Sequence, residues 1–92
     1  MSDFKEAKIK IVVKSSKCDH YKPGDVIYLD GPIVDMKKSA PVCLTAMSAL
    51  MPFIYAARKR VTLEQMGFSS MTFQCPDIDE MVEFEIVQYD ED

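Results

Sequence analysis

The sequence predicts an α+β fold: a small antiparallel or mixed sheet of about four strands, in the order ββα(α)ββ, packed on one main apolar helix. Three observations carry that prediction. Residues 7–14 and 81–88, near the two ends of the chain, alternate apolar and charged side chains with the period of a half-buried strand. Between them, residues 39–57 carry no charge and are mostly apolar, as a buried helix requires. Turn-forming pairs, Pro23-Gly24 and Gly31-Pro32, bracket a further short apolar run. The 92 residues leave room for one domain, spanning 1–92, with residues 1–5 and 89–92 expected to fray.

The first strand places Ile9, Ile11 and Val13 on one side and Lys8, Lys10 and Lys14 on the other. Pro23 presets φ and Gly24 accepts a positive φ, which suits the two central positions of a type II turn. Val26, Ile27, Tyr28 and Leu29 then form a short strand, apolar on both faces and so interior to the sheet or covered on both sides, which Asp30-Gly31-Pro32 ends. The main helix is expected over residues 40–60, with Ser39 as its cap, Pro41 tolerated in its first turn and the cations Arg58, Lys59 and Arg60 at its C-terminal end. Pro52 removes a hydrogen bond to Ser48 and is expected to kink or break it. Thr62 and Gly67 bound a short helical turn. Residues 70–75 alternate again, with Met71, Phe73 and Cys75 facing the core, and are expected to form a third long strand. The last strand turns Val82, Phe84 and Ile86 inward and Glu83 and Glu85 outward. Met47, Met51, Met66, Met71 and Met81 read as adaptable core filler.

Charge is divided along the chain. Residues 1–60 hold eleven lysines and arginines against six acids, a net +5; residues 61–92 hold nine acids and no base, a net −9. Pairing of the lysine-faced first strand with the glutamate-faced last strand accounts for this division without a polyanionic partner, each good pair contributing about 0.2–1 kcal/mol. Overall acidity, no Trp and no interleaving of Arg with aromatics argue against nucleic acid. The uncharged stretch is long enough to span a bilayer, but Pro41, Pro52 and its Ser and Thr residues favour a buried helix, so no membrane is expected. The N-terminus lacks a basic cap on an apolar run, and a cytoplasmic location is expected.

The chemistry-bearing residues are few. Cys18, Cys43 and Cys75 are odd in number, form no CxxC pair and are expected to stay reduced. Cys43, in the first turn of the expected helix, sits where amide dipoles favour a nucleophilic thiolate; its plain alternative is a small buried hydrophobe beside Val42 and Leu44. The three cysteines with His20, the single histidine, offer the donors of a tetrahedral zinc or iron site, although Cys18-x-His20 is tighter than the usual ligand spacing. Asp25 and Asp77 each follow a turn-forming Gly or Pro, where a carboxylate usually bonds nearby amides; Asp25 is a candidate ligand-binding residue and Asp77 a candidate acid or base. Cys43 and Asp77 are thus the catalytic candidates, and Cys18, Asp25, Cys43 and Cys75 the binding candidates. No phosphate-binding Gly-rich loop, GxSxG, HExxH or EF-hand loop is present.

The pattern of Cys18 after the first strand, Gly24-Asp25 before the second, Gly31-Pro32 after it, Cys43 at the helix start and Cys75-Pro76-Asp77 before the acidic last strand resembles a family of small, roughly ninety-residue uncharacterised prokaryotic proteins. The resemblance covers nearly the whole chain. It implies no activity or cofactor, but it implies that the cysteine positions belong to a pattern.

A helix apolar on every side cannot be covered by one sheet alone, so a homo-oligomer through residues 40–60 is expected. Three functions follow. The first is a self-associating protein with a cysteine-containing ligand or metal site, which requires the three sulfurs to converge. The second is a non-catalytic accessory subunit docking a larger enzyme through the helix, with scattered cysteines. The third is a small enzyme using Cys43 or Asp77 in a pocket at a subunit interface.

Overall fold

In the computed structural model, which describes residues 4–89, the elements run β1 (Lys8–Ser16), β2 (Val26–Asp30), β3 (Ile33–Val34), α1 (Leu44–Arg58), α2 (Leu63–Met66), β4 (Thr72–Gln74) and β5 (Val82–Tyr89). The class is the expected α+β. The sheet has five strands in the order β3-β2-β1-β5-β4, every neighbouring pair antiparallel. The strand not foreseen is β3. Asp30-Gly31-Pro32 does not simply end β2: Gly31 takes φ +60, and the two-residue turn sends Ile33 back to pair with Asp30. Conversely, the third long strand shrinks to the three residues of β4, although ladder bonds from Ile86 N–H to the Met71 carbonyl and from Cys75 N–H to the Val82 carbonyl flank it.

The two terminal strands lie side by side at the centre of the sheet. Part of the expected charge pairing is realised: Lys14 Nζ stands 3.4 Å from Glu85, while Ser15 Oγ donates to Glu83 at 3.1 Å. A register shift between Val13 and Ser15 puts Ser15 opposite Glu83, and in the register before it Val12 lies opposite Glu85 while Lys8 and Lys10 lie opposite Tyr89 and Val87. Tyr89, expected to fray, is paired with Lys8 in β5; residues 1–3 and 90–92 of the expected frayed ends lie outside the described residues. The type II turn is present: Gly24 has φ +96 and Asp25 N–H donates to the Lys22 carbonyl.

One face of the sheet carries the core, with Ile9, Ile11, Val13, Ile27, Phe84 and Ile86 buried against Ala46, Met47, Leu50, Ile54 and Ala57 of α1. The helix begins four residues later than expected. Ser39 does not cap it: the Ser39 hydroxyl accepts from Tyr28 N–H and donates to the Tyr28 carbonyl, which ties the chain to β2 and leaves residues 40–43 to cross toward the helix. Cys43 is therefore the N-cap, in extended conformation, and not a residue of the first turn. Pro52 does not break the helix, which runs through it to Arg58. At the other end, Arg60 N–H donates to Ala57 and Val61 N–H to Ala56, closing the helix with Arg60 in the left-handed region at φ +66. Ala7 N–H takes the Arg58 carbonyl and Gln88 Nε2 the Ala57 carbonyl, so the start of β1 and the end of β5 hold this terminus. Thr62 and Gln65 form a capping box on α2, and Gly67 ends it at φ +81, as expected.

The outer side of α1 is not covered. Leu44 is 84 %, Met51 51 % and Tyr55 54 % exposed, so Met51 is surface and not core filler. No helix is long and apolar enough to cross a membrane among the described residues.

Candidate functional site

Three connections end at the same edge of the core. The turn after β1 brings Cys18 and His20. The residues before and inside the first turn of α1 bring Cys43 and Thr45. The segment between β4 and β5 brings Cys75, Asp77 and Glu80. All line one cavity of about 120 Å³, with Tyr21, Ala46, Val82 and Phe84 completing its walls. That volume suits a few water molecules or a small ligand, and its mixed walls, sulfur and imidazole on an aromatic and aliphatic floor, suit a soft one.

Local hydrogen bonds set each thiol in place. Cys18 N–H donates to Ser16 Oγ at 3.0 Å, and that hydroxyl donates back to the Cys18 carbonyl at 2.9 Å, a side-chain-closed turn that fixes the backbone beneath Cys18. Tyr21 is buried with its ring edge-on to Phe84, the centroids 5.5 Å apart. Its hydroxyl donates to the Pro41 carbonyl at 2.6 Å and accepts from Cys43 N–H at 3.0 Å. Burial pushes the Tyr21 phenol up from its ordinary value; the Cys43 N–H opposes this, while the charges of Cys43, Cys18 and Asp25 when ionised add to it. The phenol therefore stays protonated at neutral pH and remains the donor to Pro41. Through this one hydroxyl the turn carrying Cys18 and His20 is pinned to the start of the helix carrying Cys43. Cys75 is the most buried of the three thiols, 8 % exposed; Val82 N–H donates to its sulfur at 3.4 Å, and the sulfur lies 3.7 Å from the Glu80 carbonyl. All three cysteines are unpaired thiols.

The two aspartates differ. Asp77 reaches the cavity wall, but its Oδ1 accepts from Asp79 N–H at 2.9 Å and Glu80 N–H at 3.1 Å, which fastens the loop. Asp25 lies elsewhere: its Oδ2 accepts from Lys22 N–H, bracing the type II turn, and it is not among the residues lining the cavity. Tyr21 is the site residue the sequence did not single out. The only signal for it was an aromatic one residue after His20, which the backbone contacts that give it a role do not announce in sequence.

Convergence in one cavity is not a finished metal centre. Among the described residues, no three His, Cys, Asp or Glu side chains form a group that could hold a metal ion as they stand. Comparison with family models, curated proteins and solved structures gives no match.

Proposed function

We propose that this chain is a small, self-associating cytoplasmic protein that binds a small thiol-seeking ligand, zinc and iron ions among them, in the cavity shared by Cys18, Cys43, Cys75 and His20. The observation that carries this reading is that three cysteines from three distant stretches of chain line one cavity. An accessory subunit with no site of its own gives no reason for that convergence. An enzyme reading would rest on Cys43 or Asp77, and the Asp77 carboxylate is already engaged by two backbone amides. Binding of a metal requires the half-exposed Cys18 and Cys43 side chains to turn toward Cys75, a rotamer change within turns held by backbone bonds.

The test is elemental analysis of protein purified without oxygen, joined to alkylation of each thiol with and without added zinc. The expected result is a near-stoichiometric metal that disappears in Cys43→Ala, or joint protection of the thiols by added zinc. Metal-free protein whose three thiols alkylate at rates indifferent to zinc overturns the reading.

A further inference from the structure

The two edges of the sheet are finished differently. β3 is two residues long, follows Pro32 and runs into Asp35, Lys37 and Lys38, a short, proline-flanked and charged finish of the kind that keeps an edge from pairing. β4 forms the other edge, and residues 65–75 carry neither charge nor proline. Met71 and Cys75 are bonded to β5 on either side of β4, so Met71, Phe73 and Cys75 turn their main-chain groups toward β5. By alternation the N–H and C=O groups of Thr72 and Gln74 turn outward, and they have no hydrogen-bond partner among the described residues. Phe73 lies opposite Phe84 on the core face; Thr72 and Gln74 lie opposite Glu85 and Glu83 on the outer face. Phe53 of α1 stacks on Phe73 with centroids 4.1 Å apart, and Phe68 stands edge-on to both at 5.6 Å. Along this edge runs a groove of about 520 Å³, bounded by Ala49 and Phe53 on the helix side and by Thr72, Gln74 and Glu83 on the other. It is the space a further strand would occupy.

We infer that this further strand is β4 of a second copy of the chain, antiparallel to the first about a two-fold axis through Phe73. The register follows from the hydrogen bonds. Only outward-turned residues can bond across the seam, so Thr72 faces the partner's Gln74, the pair exchanges both of its N–H···O=C bonds, and the axis repeats the pair. Phe73 then meets the partner's Phe73 in the close, non-bonded position, which continues the stack of Phe53 on Phe73 across the seam. On the outer face Thr72 and the partner's Gln74 separate Glu85 from the partner's Glu83, so no two glutamates adjoin across the seam. Thr72-Phe73-Gln74 has the same polar–aromatic–polar order in either direction, and this selects a second copy over a foreign peptide: each side chain meets one of its own kind. The pairing is isologous, joins two five-stranded sheets into one and closes at two protomers. This inference rests on the self-association in the reading above and seats it at the sheet edge, with Phe53 as the contribution of the helix.

Hydrogen exchange followed residue by residue tests it on the unaltered chain. In dilute protein the Phe73 amide, bonded to Phe84, should be protected while those of Thr72 and Gln74 exchange freely. In concentrated protein the Thr72 and Gln74 amides are expected to slow at least about tenfold, in step with dimer formation in analytical ultracentrifugation. Gln74→Pro removes an outward N–H and spares the ladder to β5, as proline does at an edge strand. It is expected to dimerise at least about tenfold more weakly, with the Phe73 amide still protected as proof that the edge is folded. A dimer whose Thr72 and Gln74 amides exchange as they do in the monomer, or one that Gln74→Pro leaves at full strength, overturns this geometry and leaves self-association standing. A chain that stays monomeric at every concentration overturns both, frees the edge for a strand of another protein, and leaves the thiol cavity to its own test.

Discussion

At the scale of single residues, Tyr21 holds the site together. Its hydroxyl bridges the Pro41 carbonyl and the Cys43 amide, and its ring packs on Phe84 under the cavity. Tyr21→Phe keeps the ring and deletes the bridge, leaving a carbonyl and an amide to find water. The expected cost is about 1–2 kcal/mol in urea unfolding, with faster alkylation of Cys43 because the helix start is no longer pinned. Unchanged stability together with an unchanged Cys43 rate would contradict that role. Sequence reasoning identified the three cysteines and His20 by residue type but could not bring them together. Their convergence depends on where the turn after β1 and the segment after β4 end, and Tyr21, whose partners are both backbone groups, has no side-chain signature to be read.

Among the elements, the helix shows how a plausible local signal is displaced by a tertiary one. Ser39 suits an N-cap by type, yet its hydroxyl exchanges two hydrogen bonds with Tyr28 of β2, and the helix starts after Cys43. The strand pattern of period two was legible because one face of the sheet is buried and the other is not; the two-residue β3 has too few residues to show any period. Where the helix ends, Glu6 clamps the segment before β1 to Arg58 and Lys59. Hydrogen bonds from Lys59 and then Arg58 hold its carboxyl below the ordinary value. A carboxyl whose pKa is lowered by folding stabilises the fold above its unfolded pKa, and that contribution is lost as pH falls through the folded pKa. Wild type should therefore lose stability more steeply than Glu6→Gln as acid is added below the ordinary carboxylate range, by thermal unfolding across a pH series. Parallel curves for the two would show that the clamp contributes nothing.

Over the whole molecule, the divided charge of the sequence has a structural meaning different from the one its strands suggested. Between β1 and β5, Lys14 and Glu85 realise one of the expected pairs of opposite charge, while Glu83 accepts from Ser15. Arg58 and Lys59 at the end of α1 pair instead with Glu6 of the same half of the chain, and an uncovered apolar stripe runs along the outer side of the helix. That stripe was legible as an absence of charge from Ser39 to Ala57, and its exposure follows from a single sheet covering a single side. The same asymmetry places the thiol cavity at the helix start, between loops from both halves of the chain. The most direct test of the shared cavity is bridging of its thiols by dibromobimane, which becomes fluorescent when both of its arms react. Dilute, reduced, folded protein should yield an intramolecular bridge between two of Cys18, Cys43 and Cys75, assigned by peptide mapping and lost in urea. Single-arm adducts alone, in folded and unfolded protein alike, would contradict a common site.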